Sequence, residues 1–322
     1  MQFACYSESW PIAGSFTIAR GSKTAADVVV VKLARNGFTG QGECVPYARY
    51  NETVPQVLAA LEAVRRDIEN GAAASILSLP FAARNALDCA MWDLTCKETA
   101  TPAWQKLGLA EPIAQTTAFT LSLDTPDAMA AAAKAATGRS LLKLKLGRVG
   151  DIERLRAIRA AVPNARLIVD ANEGWSASTL PVMLAACAET GVELVEQPLP
   201  AADDEALRGV ARTTLICADE SAHGVESLAK LKGKYDAVNI KLDKTGGLTP
   251  ALVMAQQAKV EGFKIMVGCM LATSLAMAPA FLVAQMADYV DLDGPLLLAK
   301  DRAHAIQYNG SLMQPPPRAL WG

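Results

Sequence analysis

Eight short apolar runs punctuate the chain after residue 113: Thr117–Leu123, Leu141–Leu146, Leu167–Asp170, Glu193–Glu196, Leu215–Asp219, Ala237–Leu242, Phe263–Val267 and Tyr289–Leu292. Most are continuous rather than alternating, as expected for parallel strands covered on both faces. Ala-, Leu- and Arg-rich stretches of helical character lie between them, among them Asp151–Val162 and Thr179–Thr190, and Gly191 and Gly262 fall where helix C-caps belong. Strand alternating with helix predicts a parallel α/β barrel. The run Ile265–Ala287 carries no charge, but it holds Gly268, Pro279 and Gln285 and coincides with the seventh strand and helix, so it reads as barrel and not as a membrane span.

Residues 1–112 follow another pattern. Val28–Leu33 and the glycine-rich Thr39–Glu43 flank Asn36-Gly37, a hairpin signature, and helical stretches follow near Val54–Asn70 and Ala82–Lys97. This predicts an α+β capping domain over 1–112, a barrel over 113–295, and a segment 296–322 that returns to the cap.

Chemistry enters at the strand ends. Lys145, Asp170, Glu196, Asp219 and Lys241 each end an apolar run, at intervals close to one barrel unit. A barrel gathers its strand C-termini on one face, so three carboxylates should converge between two lysines. Carboxylates without Cys or His nearby suit a hard cation, Mg²⁺ or Mn²⁺. Lys143 and Lys145 flank Leu144 and so share a face, pointing into the barrel. Their repulsion favours discharging one of them; equally, one could pair with a carboxylate of the metal site. A base working near neutrality needs its ammonium destabilised by roughly 4 kcal/mol relative to free lysine. With only His223 and His304 in the chain, and neither read at a strand end, lysine is the natural base. The eighth run ends Asp291-Leu292-Asp293, two aspartates on one side of a strand, which form either an anionic pocket or an ordinary turn.

A net charge of −2 and the lack of a basic block give no footprint for nucleic acid. Seven scattered cysteines without metal-like spacing, and no secretory signal, point to a reducing cytoplasm.

The motifs KLK at 143–145, Val169–Trp175 (VDANEGW), Val195–Pro198 (VEQP), Ala218–Ser221 (ADES) and Asn239–Gly247 (NIKLDKTGG) resemble the enolase superfamily, muconate-lactonizing subgroup, in order and spacing. Gly42-Glu43 and Ala83–Trp92 extend the likeness into the cap. The resemblance implies a modified (β/α)7β barrel, one Mg²⁺, and proton abstraction α to a carboxylate through an enediolate. It assigns Lys145 and Lys241 as acid/base residues with Lys143 beside them, and Asp170, Glu196 and Asp219 as metal ligands. Asn172 and Glu220 become supports, Glu220 towards Lys241. The DxD of the eighth strand is similar to that of the dipeptide epimerases, where such aspartates hold an α-ammonium. This implies a small dipeptide substrate of the L-Ala-Glu kind, with Arg20 on its side-chain carboxylate and Thr120, Cys269, Met270 and Leu271 lining the site. It also implies closing loops at Gly14–Ser22 and Ala48–Glu52, no membrane partner, and a possible homo-oligomer. The same scaffold hosts o-succinylbenzoate synthesis, N-acylamino-acid racemisation and muconate cycloisomerisation, and a barrel that only binds a metal carboxylate is the non-catalytic alternative.

Overall fold

A computed structural model describes residues 1–322. The chain opens with an antiparallel sheet in the order β1 (Gln2–Ile18), β2 (Gly21–Arg35), β3 (Phe38–Cys44). The long β1 was not among the expected strands: its polar residues face out in an uneven alternation that Pro11 and Gly14 interrupt. α1 (Val54–Ala63) and α2 (Arg65–Glu69) divide the single helix expected near Val54–Asn70, and α3 (Phe81–Glu98) lies across the sheet. The glycines of β3 have a packing reason. A Cβ on Gly42 would stand 2.1 Å from Ala86 O, and one on Gly40 2.4 Å from Ala90 O, so α3 seats directly on the strand backbone.

After α4 (Ala103–Lys106) and β4 (Gln115–Thr116) comes the barrel: β5 (Phe119–Leu121), α5 (Pro126–Ala135), β6 (Leu141–Lys145), α6 (Asp151–Ala161), β7 (Arg166–Asp170), α7 (Leu180–Glu189), β8 (Val192–Glu196), β9 (Leu215–Ala218), α8 (Leu228–Leu231), β10 (Ala237–Ile240), α9 (Leu242–Thr245), α10 (Leu248–Val260), β11 (Lys264–Gly268), α11 (Ser274–Ala284) and β12 (Tyr289–Asp291). β5 to β12 lie side by side in sequence order, with parallel pairing. The Thr117–Val290 bridge, with Ala118 N–H donating to Val290 O at 2.8 Å, joins the last strand to the first. The β8–β9 crossover carries only a 3₁₀ turn, Glu205–Gly209, where a full unit would have a helix. Gly191 and Gly262 have φ of 66° and 86°, each directly after the C-cap residue (Thr190 and Glu261) of α7 and α10, the left-handed conformation of a helix stop. No helix is long and apolar enough to cross a membrane.

The hairpin of β13 (Tyr308–Asn309) and β14 (Leu312–Met313) pairs with β4, and Trp321 Nε1 donates to Cys89 O of α3 at 3.0 Å. Cap and barrel also meet through Glu43 at the end of β3, which is fully buried. It accepts Thr273 N–H at 2.8 Å and Thr273 Oγ1 at 2.6 Å at the start of α11, and pairs with Arg302, which in turn pairs with Glu8 of β1.

Candidate active site

Along most barrel strands the inward positions pass from apolar to polar in one step of two residues. Ala118, Leu141, Ile168, Leu194, Cys217, Ala237 and Met266 form a buried apolar cluster. Two residues on stand Thr120, Lys143, Asp170, Glu196, Asp219, Asn239 and Gly268. Gly268 is small because Asn239 fills the space: a Cβ there would lie 2.7 Å from its side chain.

The predicted cluster assembles. Asp170, Glu196 and Asp219 offer carboxylate oxygens that all lie within 4.8 Å of one another, and all three residues are buried. Lysines interleave with them. Lys145 Nζ is 2.6 Å from Asp170 Oδ2, and Lys241 Nζ is 2.6 Å from Asp219 Oδ2. Lys143 Nζ reaches Glu196 Oε2 and Asp291 Oδ2, each at 2.6 Å. Burial pulls the Lys143 ammonium down, but Asp291, Glu196 and Asp170 outweigh it and leave Lys143 well above the ordinary lysine range. Of the two readings of the lysine pair, the geometry of Lys143 matches ion pairing with the carboxylates. Lys241 is likewise raised: burial opposes its charge, while Asp219 and Glu196 favour it. Asp219 is driven the other way, its burial outweighed by Lys241 and Lys244.

Hard oxygen donors converging at this spacing fit a divalent cation of the Mg²⁺ kind, and no cysteine or histidine belongs to the cluster. Asn172 N–H donates to Asp170 Oδ1 at 2.9 Å, a support for the ligand. Glu220 feels the charge of Lys241 but bonds elsewhere. Its Oε1 pairs with Arg20 Nη2 at 2.7 Å and forms no ion pair with Lys241. Burial, then the neighbouring Asp219, pushes its carboxyl up to about 7.

A cavity of about 530 Å³ opens above the cluster, lined among others by Lys145, Lys241 and Asp219 from the strand ends and by Cys269, Met270 and Leu271. The cap supplies its roof through Phe16–Lys23 and Tyr47–Tyr50. The first of these segments is not a loop, as expected from sequence, but the tip of the β1–β2 hairpin; the second holds a single 3₁₀ turn, Ala48–Tyr50. Arg20 sits at the tip with both Nη groups committed, to Asn172 O (2.9 Å), Glu173 (3.3 Å), the Tyr47 hydroxyl (3.3 Å) and Glu220. Lys23 lines the same roof, forms no ion pair, and lies 5.5 Å over the Tyr47 ring.

Asp291, Asp293 and Thr120 are buried and are not part of the cavity lining. The Asp293 carboxylate accepts Thr120 N–H at 2.6 Å, and burial together with Asp291 raises Asp293 to about 7. Asp291 Oδ1 is buried and has no hydrogen-bond partner, an acceptor left open beside the cluster.

Some site residues escaped the sequence reading. Lys244, fully buried, donates to Asp219 Oδ1 (2.5 Å), Asp219 O and Asn239 O. Asn239 donates to Glu196 Oε1 at 2.7 Å. Gln197 accepts the amides of Asp219 and Ser221 and donates to Tyr235 and Ser221 hydroxyls. All three sit inside the recognised motifs; for Asn239 a polar residue within an apolar strand was the available signal, while Gln197 and Lys244 lie just past strand ends. His223, four residues past Asp219, packs edge-on to Tyr50 at 5.0 Å and so lies nearer the site than its sequence position suggested.

Comparison with known proteins agrees with this geometry. Residues 1–108 match the mandelate racemase / muconate lactonizing enzyme N-terminal domain, and residues 127–319 match the enolase C-terminal domain-like family. An L-Ala-D/L-Glu epimerase of Escherichia coli is 46% identical over 308 residues, 94% of this chain and 96% of that protein. An N-acetyl-D-glutamate racemase of a Pseudoalteromonas species is 46% identical over 302 residues, 92% of this chain and 95% of that one. A crystal structure of an enolase family member from Agrobacterium tumefaciens, with homology to dipeptide epimerases and containing sodium and L-Ala-L-Glu, is 51% identical, covers 99% of both chains and superposes with a TM-score of 0.97.

Proposed function

Because the chain belongs to the mandelate racemase / muconate lactonizing enzyme family of the enolase superfamily, we propose that it is a dipeptide epimerase that interconverts L-Ala-D-Glu and L-Ala-L-Glu. One observation carries the reading: Lys145 and Lys241 line one cavity from opposite walls. Their strands, β6 and β10, stand four apart in a ring of eight.

An α-carbon placed between the two Nζ atoms has one lysine on each face. The charge on Lys241 is held by its ion pairs with Asp219 and Glu196, and those pairs are relieved when the two carboxylates engage a cation; a neutral lysine on one face then takes the α-proton, while the ammonium on the other returns a proton to the opposite face, inverting the centre. The roles exchange in the reverse direction, so each epimer has its own base. A divalent cation held by Asp170, Glu196 and Asp219, most simply Mg²⁺, when bound supplies positive charge to the substrate's C-terminal carboxylate, where negative charge develops. Lys143 keeps the carboxylate cluster neutralised and stays charged. Asp291 Oδ1, the open acceptor, and Asp293 lie next to Cys269 of the cavity wall, and the alanyl ammonium would have to pass that wall to reach them. Lys23, the unpaired cation of the roof, meets the glutamyl side-chain carboxylate together with Arg20. The cap excludes water from the proton transfer. Such a dipeptide is a product of cell-wall peptide breakdown, and we place the reaction there, in the cytoplasm.

The Pseudoalteromonas relative supports a second reading, racemisation of N-acetylglutamate, whose substrate has no ammonium for the aspartate pair. Proton NMR in D₂O with Mg²⁺ separates them. Loss of the glutamyl α-proton of L-Ala-D-Glu with growth of the L,L epimer, abolished by chelation, is the expected result. Turnover of N-acetyl-D-glutamate alone would transfer the assignment to the second reading.

A further inference from the structure

Asn172 and Glu173 are two successive non-glycine residues with positive φ, 46° and 67°. Backbone of this kind persists where the surroundings fix it, and here the contacts are on view. Glu173 N–H donates to Gln197 O at 2.9 Å, and Asn172 O accepts from Arg20. The turn also allows no side chain at Gly174, where a Cβ would stand 2.4 Å from Gly147 Cα. The outcome is that the Glu173 carboxylate is delivered to the barrel mouth facing the cap. It accepts Arg49 Nε at 2.9 Å and Nη2 at 2.8 Å, Arg20 Nη1 at 3.3 Å, and the Ala201 amide at 2.9 Å. Arg20 comes from the hairpin tip and Arg49 from the 3₁₀ turn, the two cap segments that roof the cavity. Glu220, the other carboxylate at this seam, pairs with Arg20 alone. Glu173 does not line the cavity.

We propose that Glu173 is a positioning residue for substrate selection: one barrel carboxylate holds both roof segments through their arginines and thereby fixes where the pocket's positive charge meets an acidic substrate side chain. This rests on the dipeptide reading above. Glu173 acts through Arg20 and Arg49, with no part in the proton transfer.

The test is Glu173→Gln, which keeps the shape and an acceptor for the Ala201 amide. Its KM for L-Ala-D-Glu should rise about tenfold with kcat within about twofold of the parent. Selectivity for L-Ala-D-Glu over neutral L-Ala-D-Gln should fall by a similar factor. Amide hydrogen exchange should quicken in both roof segments, 14–23 and 47–51, and nowhere else in the cap. Arg49→Met should reproduce the exchange change in the turn, and the double variant should be no worse than the poorer single one. An unchanged or lower KM, a loss confined to kcat, or quickened exchange in only one segment would overturn the proposal. If the parent enzyme turns over no acidic dipeptide, the dipeptide reading fails by itself, and the exchange measurement still decides whether Glu173 holds the roof.

Discussion

Two layers of the same barrel, one step of two residues apart, do opposite things. In the lower layer Leu141, Ile168, Leu194, Cys217 and Met266 pack as a core, at most 1% exposed. In the upper layer Lys143, Asp170, Glu196 and Asp219 are scarcely more exposed, at 0–3%, yet all are ionisable. Burial costs a charge several kcal/mol unless it is matched. The upper layer survives because its carboxylates are matched at ion-pair distance by lysines, Lys143 within the layer and Lys145 and Lys241 one step of two residues above it. Stability is built into one layer and reactivity into the next, and the strand register alone separates them.

The largest effect that could break this division is on turnover. Lys145→Ala and Lys241→Ala should each lower epimerisation by roughly 10²–10⁴-fold. Proton NMR in D₂O should show either variant exchanging the α-proton of one epimer at most. Normal epimerisation by both would end the idea that the chemistry sits at the strand ends, directly on top of the charged layer. The lower layer should respond inversely. Leu194→Ala should cost about 2–5 kcal/mol in denaturant unfolding while leaving kcat/KM within about threefold; a matching collapse in activity at full stability would erase the distinction. A third, smaller effect tests the role of charge matching. Asp243, at the seam between cap and barrel, is buried with Val45 N–H and Asn85 as partners and no cation, and burial raises it from 3.8 to about 7. The folded state therefore holds a proton that the unfolded chain releases. That stabilising contribution is complete below about pH 4 and is lost as pH rises through 7. Asp243→Asn should flatten the decline in stability between pH 5 and 8 by roughly 2 kcal/mol. An unaltered slope would mean that the seam tolerates the bare charge.

What could be read in the sequence follows from the same layering. Parallel strands buried on both faces leave apolar runs, and a charge ending such a run stands out, so β6 to β10 and the triad were visible. β1 was not, because a strand at a sheet edge needs no apolar run and its Ser7, Glu8 and Ser9 read as loop. Glu173 and Arg49 were hidden differently: charged residues in turns look solvated until the fold brings together partners 124 positions apart. Arg20 was found, but the carboxylates that occupy it in the structure, Glu173 and Glu220, lie on barrel loops whose proximity no local pattern encodes.

Glu43 carries a consequence for timing. By gripping the first turn of α11 and sharing Arg302 with Glu8, it rivets the cap's sheet to the barrel. The cap cannot swing away as a body without tearing out a buried carboxylate. Admission of substrate is left to the hairpin tip and one turn, parts small enough to move in nanoseconds to microseconds, where hinging of a whole domain takes up to milliseconds. The doorway keeps the clock of a loop, and the walls stay still while it opens.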